Sequence, residues 1–389
     1  MKLKVRDCSI VLIYILLFIS AFTYIRHTYT QVYTWRLLYL SSMLAIIVMC
    51  IIYRLNRRIL YLDLFMVLLI VLIVYELTVS YCNSLFVMPL IFVDVMPWPM
   101  VLFVFYDYSK DYDLPNILKP ITVGGMIIVC LLSVPNIILQ YTRINGAAVF
   151  ATYYCIAFLP MLYLTCSQKT SLFFSAIVAL LMLLSLKRSA FLIVVIGLFV
   201  YYMMLIYRQN NSRKKIYRTF GFMLAVIAAG LIGQYVITVV GLNIISRLSS
   251  IIEDGGSGRI RIWTQVYSYF RESTTLKKVF GHGFHAVFYE IKPLGIARYA
   301  HNSFLETMYD YGYIGLTLLL MIVIPIIADT IRMIHRKHLL APVMAFSIVP
   351  LLILGFVSYF FEQSVIIMPF CVLWGVCLGH FSRERNRIE

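Results

Sequence analysis

Charge is scarce in this sequence, and acidic charge is the scarcest. Only 13% of the 389 residues are charged, with 17 Asp and Glu against 33 Lys and Arg. A chain so poor in charge cannot clothe the surface of a soluble domain. Long polar stretches are nearly missing too, while apolar runs of about 20 residues recur along the whole length. No cleavage site of small residues follows the first apolar run, which continues to Tyr24-Ile25-Arg26, so that run reads as an uncleaved first span. No C-x-x-C pair occurs among Cys8, Cys50, Cys82, Cys130, Cys155, Cys166, Cys371 and Cys377. That pattern gives neither a disulfide framework nor a zinc spacing, and the cysteines read as small apolar fillers.

What is present is hydrophobic: 62% of the residues, with a mean hydropathy of +0.90. The expected fold class is all-α, a polytopic membrane protein with about twelve transmembrane helices and one large outer loop containing short amphipathic helices. The spans read as 9–25, 37–53, 60–79, 85–106, 121–141, 147–165, 171–185, 189–207, 219–240, 303–327, 341–360 and 363–380. The division is thus 1–240 for helices one to nine, 241–302 for the outer loop and 303–389 for helices ten to twelve, in a single membrane domain. A tight turn at Lys187-Arg188 splits 171–207, because one helix of that length would overshoot a bilayer core of ~30 Å. Pro97-Trp98-Pro99 breaks or bends the fourth span and Pro135 kinks the fifth.

The net charge of +16 does not call for nucleic acid, since the positive-inside rule and anionic lipid account for it. Lys and Arg gather in the segments that share a side with both termini, and are sparse in the short loops opposite. This predicts both termini in the cytoplasm and the long loop outside. Lys187 and Arg188 run against that trend. Either they anchor a helix mouth by snorkelling, or they offer a bound diphosphate its counter-charge, the arginine with a planar fork. Glu76 and Asp94, inside or near spans, are candidates by the same logic, or else an interfacial group and a polar groove wall.

The polar interval from 255 to 315 holds the densest set of chemically capable residues. Gly255-Gly256-Ser257-Gly258 stops any preceding helix. An amphipathic helix is expected to start near Arg259, with Ile260, Trp263, Tyr267 and Phe270 forming its membrane-facing stripe. Gly281-His282-Gly283 follows. Ser303 and Glu306 form an S-x-x-E capping box, predicting a helix that starts near Ser303 with His301 just before it. The positive end of that helix disfavours an imidazolium. A neutral imidazole there can take a proton from a hydroxyl; equally, His301 can be an interfacial polar residue.

Three short patterns in order resemble the O-antigen ligase and surface-polysaccharide polymerase superfamily. His301-Asn302, nine residues, Gly312, two residues and Gly315 fit its H-[NSQ]-x9-G-x2-G signature. Arg188-Ser189-Ala190-Phe191-Leu192 fits R-x3-L, and Gly258-Arg259-Ile260-Arg261-Ile262-Trp263 fits G-R-x3-W. The resemblance implies a metal-independent, inverting glycosyltransferase with no cofactor, and the outer loops show no D-x-D pair or Cys/His cluster. Its donor would be a glycan on undecaprenyl diphosphate, its acceptor a glycan or lipid, and its further partners membrane lipids, a flippase and a chain-length regulator. By likeness His301 is the general base, and Arg188 and Arg259 hold the diphosphate, with Arg261 an adjacent candidate. Asn302, Gly312 and Gly315 belong to the structural motif, and Glu306 is either the cap partner or an orienter of His301. The activity implied is polymerisation of lipid-linked repeat units into O-antigen, capsule or exopolysaccharide at the bacterial inner membrane. An O-antigen ligase acting on lipid A core is the alternative, and a flippase of lipid-linked sugars a third reading.

Overall fold

A computed structural model describes residues 5–57, 62–83, 88–142, 151–185, 187–240, 258–291 and 299–388. Among them every regular element is a helix. The first half of the chain forms α1 (Val5–Thr30), α2 (Tyr33–Leu55), α3 (Leu64–Asn83), α4 (Met88–Asp94), α5 (Pro97–Asp111), α6 (Leu118–Thr142), α7 (Ala151–Thr165) and α8 (Gln168–Leu184). After these come α9 (Arg188–Arg208), α10 (Ser212–Val240), α11 (Arg259–Glu272), α12 (Thr275–Phe280), α13 (Ala286–Glu290), α14 (Ser303–His335), α15 (Ala341–Val357) and α16 (Ser364–Ile388). Eight helices are long and apolar enough to cross a membrane, and α7, α8 and α15 are shorter apolar helices. The ninth expected span falls on α10, many of whose side chains lie outside the described residues.

The interruption expected at Pro97-Trp98-Pro99 appears, while α6 runs through Pro135 as one helix. The fourth span divides into α4 and α5 across a turn at Val95-Met96, and α5 takes Pro97 and Pro99 into its first turn. There the missing N–H of proline costs nothing, because the first turn has no intrahelical partner for it. The expected division of 171–207 also appears, α8 ending at Leu184 and α9 beginning at Arg188.

The bundle is built around α16, which is almost wholly buried between Ser364 and Arg385. Its closest partner is α5. Gly375 and Gly379 stand four residues apart on the contact, and a Cβ on either would overlap the α5 backbone near Tyr106. In lipid there is little hydrophobic drive between helices, so close backbone approach through small residues takes its place. Outward-facing apolar side chains such as Val48, Val74, Leu131 and Phe199 remain exposed, as a lipid-facing surface demands.

Above this bundle, α11, α12 and α13 pack on the first turns of α14. The buried stripe of α11 is Ile262, Val266 and Phe270, which meets Ala286, Val287 and Tyr309. Of the stripe read from the sequence, Ile260 and Tyr267 are exposed, roughly a third of a turn from this packed face, while Phe270 belongs to the packed face itself. Gly255, Gly256 and Ser257 lie outside the described residues.

Candidate functional site

The site grows from the head of α14. Asn302 caps this helix: its Oδ1 accepts from the N–H groups of Phe304 and Leu305, both at 3.1 Å. This replaces the capping box expected at Ser303 and Glu306. Ser303 is already the first helical residue, and its Oγ accepts instead from Phe360 N–H at 2.7 Å. Glu306 turns back to accept from Ala300 N–H at 2.8 Å. One residue ahead of the cap, His301 holds a left-handed φ of 51°.

Two other elements converge on this histidine. Trp263 of α11 donates its indole N–H to Ala300 O at 2.9 Å. Arg259 lies four residues earlier on the same helix, and residues so spaced share a face. Arg259 is therefore brought beside His301, and its charge reaches both His301 and Lys187. Arg261 is exposed, half a turn away on the same helix. From the other side comes the start of α9. Ser189 Oγ and Tyr153 Oη on α7 are 2.6 Å apart, and Lys187 Nζ sits 5.3 Å from the centre of the Tyr153 ring. Arg188 opens α9, but its side chain lies outside the described residues.

Electrostatics here follow from crowding of like charge. Burial pushes His301 down to about 4, and the charges of Arg259 and Lys187 push in the same direction. The imidazole is therefore neutral at neutral pH, with burial the largest cause rather than the helix dipole. Lys187 is lowered to about 8, again by burial first and then by Arg259. Two cations and an uncharged base thus lie close enough to act on one another, and a bound anion would relieve the repulsion between the cations.

Gly312 breaks α14 with φ 67° and ψ −170°, in the left-handed half of φ space that favours glycine. An added Cβ would overlap Val279 O, and one on Gly281 would overlap Asp310 O. Between these two glycines the chains approach closely enough for His282 N–H and Gly283 N–H to donate to Tyr309 O and Asp310 O, at 3.2 and 2.8 Å. Gly315 lies one turn on, where a Cβ would overlap the Tyr311 side chain.

Residues not singled out in the sequence complete the surroundings. His285, Tyr299 and Tyr359 form an aromatic group, with Tyr299 and Tyr359 centroids 4.5 Å apart. Burial lowers His285 to about 4. Tyr153 and Glu362 also went unremarked, since each lies in a stretch whose local pattern is simply that of a helix or a short turn. His282, by contrast, is taken up structurally, stacking on Tyr309 and pairing with Glu290 at 2.7 Å.

Two groups have metal-ligand spacing. In the first, His338, His380 and Glu384, the His338 Nδ1 accepts from Leu340 N–H. The neutral ring then carries its proton on Nε2, which faces Glu384 at 3.1 Å, so that nitrogen offers no open lone pair to an ion. The second group is Glu306, Asp310 and Glu362.

A search of curated proteins returned no match. Residues 172–320 match the family model described as O-Antigen ligase, a stretch that runs from α8 into α14 and contains Arg188, Arg259, His301, Gly312 and Gly315. Joined to eight span-length apolar stretches among the described residues, this match over part of the chain supports, for a multi-pass membrane protein, the resemblance to the O-antigen ligase and surface-polysaccharide polymerase superfamily, whose members are glycosyltransferase-like enzymes.

Proposed function

We propose that the protein polymerises undecaprenyl-diphosphate-linked oligosaccharide repeat units into O-antigen, capsule or exopolysaccharide at the outer face of the bacterial cytoplasmic membrane, with both termini in the cytoplasm. The observation that carries this reading is the neutral, half-buried His301, which feels the charges of both Arg259 and Lys187. In the step that fits, His301 takes the proton of an acceptor hydroxyl while its oxygen attacks the anomeric carbon of the donor sugar. The bond from that carbon to the carrier's diphosphate breaks, with inversion, and the negative charge that collects on the leaving diphosphate lies against Arg259, Lys187 and Arg188. Arg261, being exposed on another face of α11, suits the approach of lipid headgroups or the carrier better than the reacting atoms. The aromatic group of Tyr299 and Tyr359 offers flat apolar faces to sugar rings.

Ligation of finished glycan to lipid A core uses the same bond changes, and the matched family description names that activity. The product separates the two. Full-length protein in proteoliposomes supplied only with lipid-linked repeat units should make chains of two or more repeats still on the carrier. If chain growth fails and transfer begins only when lipid A core is added, the polymerase reading is lost and the ligase reading holds. If neither acceptor is glycosylated by folded protein, the transferase reading itself falls.

A further inference from the structure

Away from the cations around His301, the chain buries several carboxyl groups in one place. Glu306 and Asp310 lie four residues apart in the first turns of α14, and Glu362 reaches them from the connection between α15 and α16. One oxygen from each lies within 4.8 Å of the other two. Glu306 and Asp310 are 0% exposed and Glu362 is 4% exposed. Asp310 accepts from His285 N–H at 2.9 Å and Val287 N–H at 3.1 Å. Glu306 Oε1 and both carboxylate oxygens of Glu362 receive no hydrogen bond of ordinary geometry. No ion pair among the described residues involves any of the three. Glu76 on α3, itself 6% exposed with one unpartnered oxygen, adds its charge from nearby.

Burying one unpaired carboxylate costs several kcal/mol, and like charges at this range add to the cost. Glu362 is the decisive member. It comes from a different segment, has the Tyr359 hydroxyl as its neighbour, and still brings a carboxylate oxygen to within 4.8 Å of the Glu306–Asp310 pair. Oxygen donors alone, with lone pairs left open, are the preference of a hard divalent cation rather than of zinc or copper. A separation of at most 4.8 Å is about what two oxygens show on opposite sides of an ion bound at ~2.4 Å.

We propose that Glu306, Asp310 and Glu362 form a binding site for a divalent cation of the calcium, manganese and magnesium class. The ion would fasten the head of α14 to the connection between α15 and α16. Through the hydrogen bond from Ala300 N–H to Glu306, it would also steady the left-handed backbone of His301. This makes the three carboxylates positioning residues, and the site stands whether or not the protein transfers sugars.

Ion binding is therefore read directly. Full-length protein in zwitterionic lipid nanodiscs, stripped with chelator, is titrated with Mn2+ while free Mn2+ is followed by electron paramagnetic resonance and the thermal midpoint is recorded. The wild type should take up one tight Mn2+ per chain, displaced by Ca2+, with a rise in midpoint. Glu362→Gln should weaken binding at least about tenfold, since even groups behind the ligands of metal sites matter that much. Without metal it should melt no lower than the stripped wild type, because a buried charge has gone. Glu306→Gln should show the same loss of affinity. Equal Mn2+ binding by the wild type and both variants, or a wild-type midpoint unmoved by Mn2+, would overturn the site and leave three carboxylates that share protons.

Discussion

The two ends of the bundle treat charge in opposite ways. At the end that bears both termini, acids and bases are matched. Arg57 pairs with Asp107 at 2.8 Å and Asp111 at 2.7 Å, Lys110 with Asp63 at 2.6 Å, and Arg383 with Asp113. Tyrosines fill the remaining acceptor positions, as Tyr53 does on Asp107 and Tyr106 on Asp63. At the end that bears the loop, charges are sorted by sign. Lys187 and Arg259 act together on His301, while Glu306, Asp310 and Glu362 gather at another point. Glu290, held below the usual carboxylate range despite burial by hydrogen bonds from His282 and Tyr309, is the matched acid on that side. Matched charges stabilise a fold by cancelling within it, whereas sorted charges leave something to be cancelled by a ligand.

Mutation can break or sharpen that contrast. The largest effect is expected from His301→Ala, which should lower transfer in proteoliposomes roughly 10²- to 10⁴-fold with an unchanged thermal midpoint; near-normal turnover would remove His301 as the base. Next comes Arg57→Ala at the matched end. It strands Asp107, which is buried, and should cost about 3 kcal/mol or more in a denaturation midpoint. Lys187→Met at the sorted end should leave the midpoint level or higher, because a like charge is removed, while raising the KM for lipid-linked donor. If Lys187→Met destabilises as strongly as Arg57→Ala, the two ends do not differ.

Gly312→Ala should follow, losing about 1–3 kcal/mol from the strained φ alone and more if the overlap with Val279 O is not relieved. Gly258→Ala, with a comparable φ of 77° but open space around it, should lose less. The smallest change is expected in a pH profile. With His301 at about 4 and Lys187 at about 8, transfer should stay flat from about pH 7 to near 5 and fall on the acid side only as pH nears 4. An unshifted histidine would already be half lost at about 6.5. Stability has the same sign. The unfolded chain binds this proton at higher pH than the folded one, so folding weakens as pH drops from about 6.5 toward 4 and is unaffected above it.

Much of the architecture was legible because a bilayer imposes it. Apolar length fixed where helices could run, and Pro97 and the break between α8 and α9 divided them for reasons local to the backbone. The start of α14 was legible for the same reason, down to His301 standing just ahead of it. Its cap was not. Asn302 and Ser303 are both good capping residues, and the choice fell to Asn302 because Ser303 Oγ is occupied by Phe360 N–H, 57 residues on. The packed face of α11 was not legible either, since Tyr309 and Val287 selected it from distant sequence.

By itself, then, the sequence determined that this chain must live in lipid, how it is cut into helices, and which residues at the loop-bearing end could carry chemistry. Those outcomes depend on free energies that add residue by residue: transfer into hydrocarbon, a missing N–H, a glycine's freedom. Only the tertiary structure decided which of those residues meet. That Arg259 and Lys187 act on His301, or that Glu362 closes on Glu306 and Asp310, depends on contacts across 42 to 114 residues of chain. Charge acts over ångströms, and no local pattern encodes that distance.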